Sequence, residues 1–152
     1  MGSKRIIQDQ QQIEEILSKA KFLRLALSDA DIPHIIPMAF GYKDNSIYLH
    51  SSQKGEKIDI IKKNPMVCFE ADTDADIITT DNICTYNVCY RSVVGYGQAK
   101  FLEDYNEKVE GLTILSEHYE KKGSFEFGEE KVNRLSVIKI EIEGMTGKES
   151  GF

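Results

Sequence analysis

At roughly 100 to 200 residues per domain, a chain of 152 residues has room for one domain, expected over 1–152. Hydrophobic residues at 41% and charged residues at 29% supply a core and exclude a disordered chain. The 19 Lys and Arg against 25 Asp and Glu leave a net charge of −6 and a pI near 5.1, the wrong sign for a protein that neutralises nucleic-acid phosphates, so no nucleic-acid partner is expected.

The first element follows Asp9, where Ile13, Ile16, Leu17 and Ala20 recur at helical spacing and Asp9 with Gln12 forms an N-terminal cap. Three short strands come next: FLRLAL (22–27), PHIIPMAFGY (33–42) and SIYLHS (46–51), joined by turns at 28–31 and 43–45. Pro33 and Pro37 remove ladder donors and mark the second of these as an edge or a bulge. KGEKIDIIKKN (54–64) reads as a short helix with Ile58 and Ile61 on one face, ended by Asn64-Pro65. MVCFEAD (66–72) is a strand, followed by a polar stretch to about residue 82. TYNVCYRSVVGYGQAKFLED (85–104) is one bent strand or two, with Gly95 and Gly97 at the bend. Residues 105–122 form the longest helix, with Tyr105, Val109, Leu112, Leu115 and Tyr119 on one face and Lys121-Lys122-Gly123 as the stop. In LSVIKIEIEG, Ile138, Ile140 and Ile142 alternate with Lys139, Glu141 and Glu143, the period of a strand with one wet face. Strands in consecutive runs without βαβ alternation predict a mainly β, α+β fold: a six- to seven-stranded antiparallel barrel with peripheral helices.

No apolar run reaches the ~18 to 20 residues that span a bilayer, and MGSKRIIQDQQQIEE lacks a signal core, so no membrane partner and a cytoplasmic location are expected. Cys68, Cys84 and Cys89 are odd in number and irregularly spaced, as reduced thiols are. Asp72, Asp74 and Asp76 have the spacing of a calcium loop, but Ile77 and Ile83 stand where that loop needs Gly and Glu, and no metal is expected.

The stretch YLHSSQKGEKIDIIKKNP (48–65) carries the most chemistry. A strand ends in His50, Ser51 and Ser52, and a turn holding Lys54 and Gly55 opens a helix whose free N–H groups and positive dipole end, with Lys57, suit a phosphate. An ordinary solvated turn has the same composition. His50 shares a face with Tyr48 and opposes Leu49, which allows a structural or a catalytic role.

Taken together, PHIIPMAFGY, IYLHSSQKGEKIDIIKKNP-MVCFE, YRSVVGYGQAKFLED and IEIEGMTGKES resemble the pyridoxamine-5′-phosphate-oxidase-like flavoproteins, most of all their nitroimidazole-resistance branch, from about residue 7 to 150. The resemblance implies a split β-barrel that forms a homodimer and binds flavin mononucleotide (FMN) in clefts between subunits. It implies that Ser51, Ser52 and Lys57 hold the phosphate with Arg91 as a second cation. Backbone at Pro37 and Met38 then faces the flavin ring and His50 stands beside it, as the candidate catalytic residue. Glu56 departs from the histidine frequent at its position, and its charge must point away from a phosphate.

The implied activity is reduction of a small-molecule electrophile such as a nitroaromatic. With no dinucleotide fingerprint in the chain, an NAD(P)H donor would stack transiently on the flavin. The alternative is a non-catalytic protein of the same fold that binds flavin, or haem with His50 or His34 as ligand. A cleft that serves only assembly is the third.

Overall fold

A computed structural model describes residues 3–121 and 125–152. Its strands are β1 (Lys4–Ile7), β2 (Leu23–Asp29), β3 (Ile32–Met38), β4 (Gly41–Lys43), β5 (Ser46–Ser52), β6 (Met66–Ile78), β7 (Asn87–Leu102) and β8 (Leu135–Ser150). All pair antiparallel in one sheet of order β3-β2-β6-β7-β8-β5-β4, with β1 added along β8. The strands at the two ends of that order, β3 and β4, are consecutive in the chain yet unpaired with each other, which makes the barrel a split one. The helices are α1 (Gln10–Lys19), α2 (Glu56–Lys63), α3 (Tyr105–Tyr119) and α4 (Glu129–Arg134). None of them is long and apolar enough to cross a membrane.

Local chemistry explains most boundaries. Asp9 caps α1 by accepting from the Gln12 N–H at 3.0 Å, and Ile13, Ile16, Leu17 and Ala20 enter the core. Asp44 and Asn45 both take positive φ, 49° and 58°, which closes the two-residue β4–β5 hairpin. Pro33 and Pro37 lie in β3, which pairs on one side only. Four residues apart, they direct their missing donors to the same, open side. Ile138, Ile140 and Ile142 are buried while Glu141 and Glu143 are exposed, so the alternation expected of β8 is present.

Several elements differ from expectation. The described residues form eight strands rather than six or seven, in part because β1 is a short strand held on β8. Residues 33–42 break at Ala39-Phe40 into β3 and β4. The polar segment after residue 72 continues as strand to Ile78, because Ile77 and Ile78 pair with Val88 and Asn87 across a bulge at residues 73–76, where Asp74 has φ 58°. The run 85–104 is one strand whose register against β8 shifts between Tyr96 and Gly97, and β8 extends to Ser150. α4 was not expected at all. α3 ends at Tyr119, and the stop expected at residues 122 and 123 lies outside the described residues. Tyr105 and Tyr119 flank α3, whose buried side instead carries Lys108, Gly111, Leu112, Ile114 and Leu115.

The barrel interior is one apolar cluster that includes Leu23, Leu25, Phe40, Leu49, Phe69 and Ile140, closed by α1 and α2. A smaller cluster of Leu112, Val132 and Val137 lies outside the wall, under α3 and α4. The bend of β7 needs close backbone approach: a Cβ on Gly97 would fall 2.0 Å from the Glu141 carbonyl oxygen. Gly97→Ala is expected to cost about 1–3 kcal/mol, read as a lower denaturation midpoint. An unchanged midpoint would show that the strands are not packed this closely.

Candidate functional site

β5 delivers Ser51 and Ser52 to a turn in which the Ser52 hydroxyl donates to the Lys54 carbonyl at 2.8 Å. Gly55 follows with φ 133° and caps α2 with no side chain, so the first N–H groups of the helix keep no side-chain partner. A Cβ on Gly55 would meet nothing within 4 Å, so the approach to these donors is open. Lys57, on the first turn, is half-buried and makes no ion pair among the described residues. The chemistry suits a phosphate: free N–H groups and a dipole end open onto unfilled space, with serine hydroxyls and a lysine in the adjoining residues. Glu56 is turned toward β3, with its carboxylate 3.9 Å from His34 Nδ1. His34 therefore stands beside this cradle, a proximity across 22 positions that no local pattern signals.

Ser51 and His50 face opposite ways. Ser51 lies on the inner side with Ile47 and Leu49, while His50 follows Tyr48 onto the outer side, where it is exposed. Pro37 and Met38 sit at the end of edge strand β3, Met38 buried and Pro37 exposed on the open edge. Arg91 is not brought to the cradle within its own chain. It pairs with Glu149 on β8, whereas His50 pairs with Val137, about 40 Å away along the curved strand. Its guanidinium is held by Glu149 at 2.7 Å and Asp74 at 2.9 Å and stacks on the Phe152 ring at 4.1 Å.

The outer surface of β3, β2, β6 and β7 is the other feature beside the open edge. Ile35, Val94 and Tyr96 are exposed on it, and Ala26, Cys68 and Tyr96 line a groove of about 330 Å³ there. At its border Arg24 donates to both Glu70 at 2.9 Å and Asp72 at 2.8 Å, an arrangement sequence reasoning missed because it joins residues 46 and 48 positions apart. Asp72 and Asp74, which carried the calcium-like spacing, are thus committed to two different arginines.

Burial pushes the Glu70 carboxyl above its usual range; neighbouring Asp72 adds to this and Arg24 opposes it. A raised folded-state value means that the contribution of Glu70 to stability is present at acid pH and is lost as pH rises through that value. Glu70→Gln is therefore expected to lose less Tm than the parent between acid and neutral pH. Parallel Tm profiles would show that Glu70 carries no such strain.

Residues 9–149 match the family described as pyridoxamine 5′-phosphate oxidase. The chain belongs to that family. Among solved structures, a candidate 5-nitroimidazole antibiotic resistance protein from Bacteroides thetaiotaomicron VPI-5482 superposes with a TM-score of 0.87 at 31% identity, over 99% of this chain and 90% of the other. A FAD-binding protein from Mesorhizobium loti gives 0.70 at 22%, over 96% and 97% of the two chains. The FAD and haem binding protein from Mycobacterium smegmatis gives 0.84 at 12%, over 97% and 74%. These last two likenesses are of fold. No curated protein matches the chain.

Proposed function

We propose that the protein is a homodimeric FMN-binding flavoprotein that reduces a small electrophile, such as a nitroaromatic, with NAD(P)H as donor. The observation that carries this reading is the uncapped start of α2, with Ser51, Ser52 and Lys57 around it and the open edge of β3 beside it. The 31% identical candidate nitroimidazole-resistance protein supports the choice of substrate class.

Bound flavin supplies the redox chemistry. The residues of this chain bind and orient it: the α2 N–H groups and Lys57 hold the phosphate, the Ser51 hydroxyl donates to it while Ser52 shapes the turn through its bond to the Lys54 carbonyl, and the edge at Pro37 and Met38 faces the ring. Proline N atoms leave carbonyl acceptors and the Ile35 N–H as the polar groups of that edge. His50, exposed at the strand end, orients the ring or gives a proton to bound substrate. Arg91 enters this reading only from a second copy, because in its own chain it lies at the far end of β8.

An absorbance spectrum of the purified protein is the first test. Flavin bands that bleach on anaerobic addition of NAD(P)H support the reading, a Soret band supports the haem alternative instead, and a colourless protein that takes up no added FMN overturns both. Lys57→Ala is expected to weaken FMN binding by about 10- to 150-fold, the worth of one charge-assisted phosphate contact, and more than Lys54→Ala does. Equal affinities for the two variants would place the phosphate elsewhere.

A second copy of the chain is the expected cover for the apolar outer face, on which Ile35 is 70% and Tyr96 51% exposed. Light scattering should return twice the 17.3 kDa chain mass at micromolar concentration. A monomer there would remove the cleft between subunits from the proposal.

A further inference from the structure

A second cationic recess lies on the other side of α2. Ile58 and Lys62, four apart on one face of α2, and Lys54 of the turn before it line a groove of about 610 Å³ whose other wall is the ends of β7 and β8. Lys108 of α3 closes it from the opposite wall. This lysine is only 7% exposed, yet its ammonium has no hydrogen-bond acceptor and no carboxylate within 4 Å among the described residues. Among the described residues no side-chain polar atom is both fully enclosed and unpaired, so the Lys108 ammonium opens onto the groove.

The position is unusual for a lysine. A lysine stem lies naturally along apolar surface, but its charge is normally carried out to bulk water or paired. Here it lies in a groove that also holds Lys54 and Lys62, with Glu103 as the one lining carboxylate among the described residues. Three cations against one anion leave an excess of positive charge in a chain whose net charge is −6. Phe101 and Leu102 supply an apolar wall, and the volume falls in the range of small-molecule sites.

We propose that this groove is an anion site, separate from the flavin cradle, that takes a phosphate-bearing small molecule: the phosphate rests between Lys108 and Lys62, and the organic part lies against Phe101 and Leu102. Lys57 has no part in it, since it is not among the groove-lining residues.

The test is calorimetric titration of the purified, FMN-loaded protein with pyrophosphate at constant ionic strength, with chloride as the control anion. Saturable binding is expected, weakened about tenfold or more in Lys108→Met, which keeps the stem and removes the charge. Lys62→Gln, on an exposed residue, should weaken it also and guards against a folding defect in the first variant. Binding that survives both substitutions, or is no tighter than chloride, overturns the proposal. Binding lost in Lys57→Ala but kept in Lys108→Met moves the anion to the start of α2 and overturns it too. If the protein proves to take no flavin, the same titration on the apoprotein tests this groove independently.

Discussion

The fold turns on the place where the sheet does not close. β3 and β4 are joined by two residues, and α3 is wedged at that corner. A Cβ on Gly41 would sit 2.6 Å from the Ile114 carbonyl oxygen, so only glycine lets the β4 backbone touch the helix. The Tyr119 hydroxyl accepts from the Phe40 N–H at 3.1 Å and donates to the Lys21 carbonyl at 2.7 Å; His118 bonds the Ala20 carbonyl at 2.7 Å. Both carbonyls belong to the link between α1 and β2. One helix end thus ties both sides of the split, and the free edge of β3 is left held in place but unpaired. A closed barrel would have no such edge to offer a planar ligand.

Charge is distributed to the same effect. Most of the strongly engaged carboxylates serve cations far from α2: Glu70 and Asp72 hold Arg24, Glu149 and Asp74 hold Arg91, and Glu141 holds Lys100 at 2.8 Å. Lys54, Lys57, Lys62 and Lys108 keep no such partner among the described residues and gather around one short helix. An acidic chain thus keeps several uncommitted cations close to one helix, and the field at a recess depends on such local arrangement more than on net charge.

What was legible in the sequence was what is local. Ile138, Ile140 and Ile142 announce a half-wet strand, Asp9 a cap and Asn64-Pro65 a stop, because each depends on neighbours within a few positions. The end of β6 was not legible: Thr73 to Asp76 look like loop, and their strand pairing is imposed by Val88 and Asn87 across the hairpin. Lys108 was hidden for a similar reason. It stands four before Leu112 and seven before Leu115, the spacing of a buried stripe, but a lysine is ordinarily a solvent-facing residue and carries no burial signal of its own. The motif at residues 48–65 placed Ser51, Ser52 and Lys57 around the start of α2. Strand alternation also implied that His50 faces away from its neighbour Ser51, but the motif did not show that Arg91 would be held at the other end of β8, since that depends on register between distant strands.

The acidic residue at the start of α2 has a physical rationale in this setting. Without a side-chain cap, the positive end of the helix is unsatisfied, and a carboxylate in the first turn offsets part of it. Glu56 does this while reaching toward His34 rather than over the free N–H groups, so it eases the dipole without filling the space a phosphate needs. A histidine or lysine at that position would add attraction for an anion but leave the empty helix less stable. Glu56 makes the opposite compromise, and in the proposed reading attraction for a phosphate falls to Lys57 and to the shape of the Gly55 turn. Family membership accounts for the frame on which this balance is struck. The balance itself belongs to this chain, since one scaffold carries many functions.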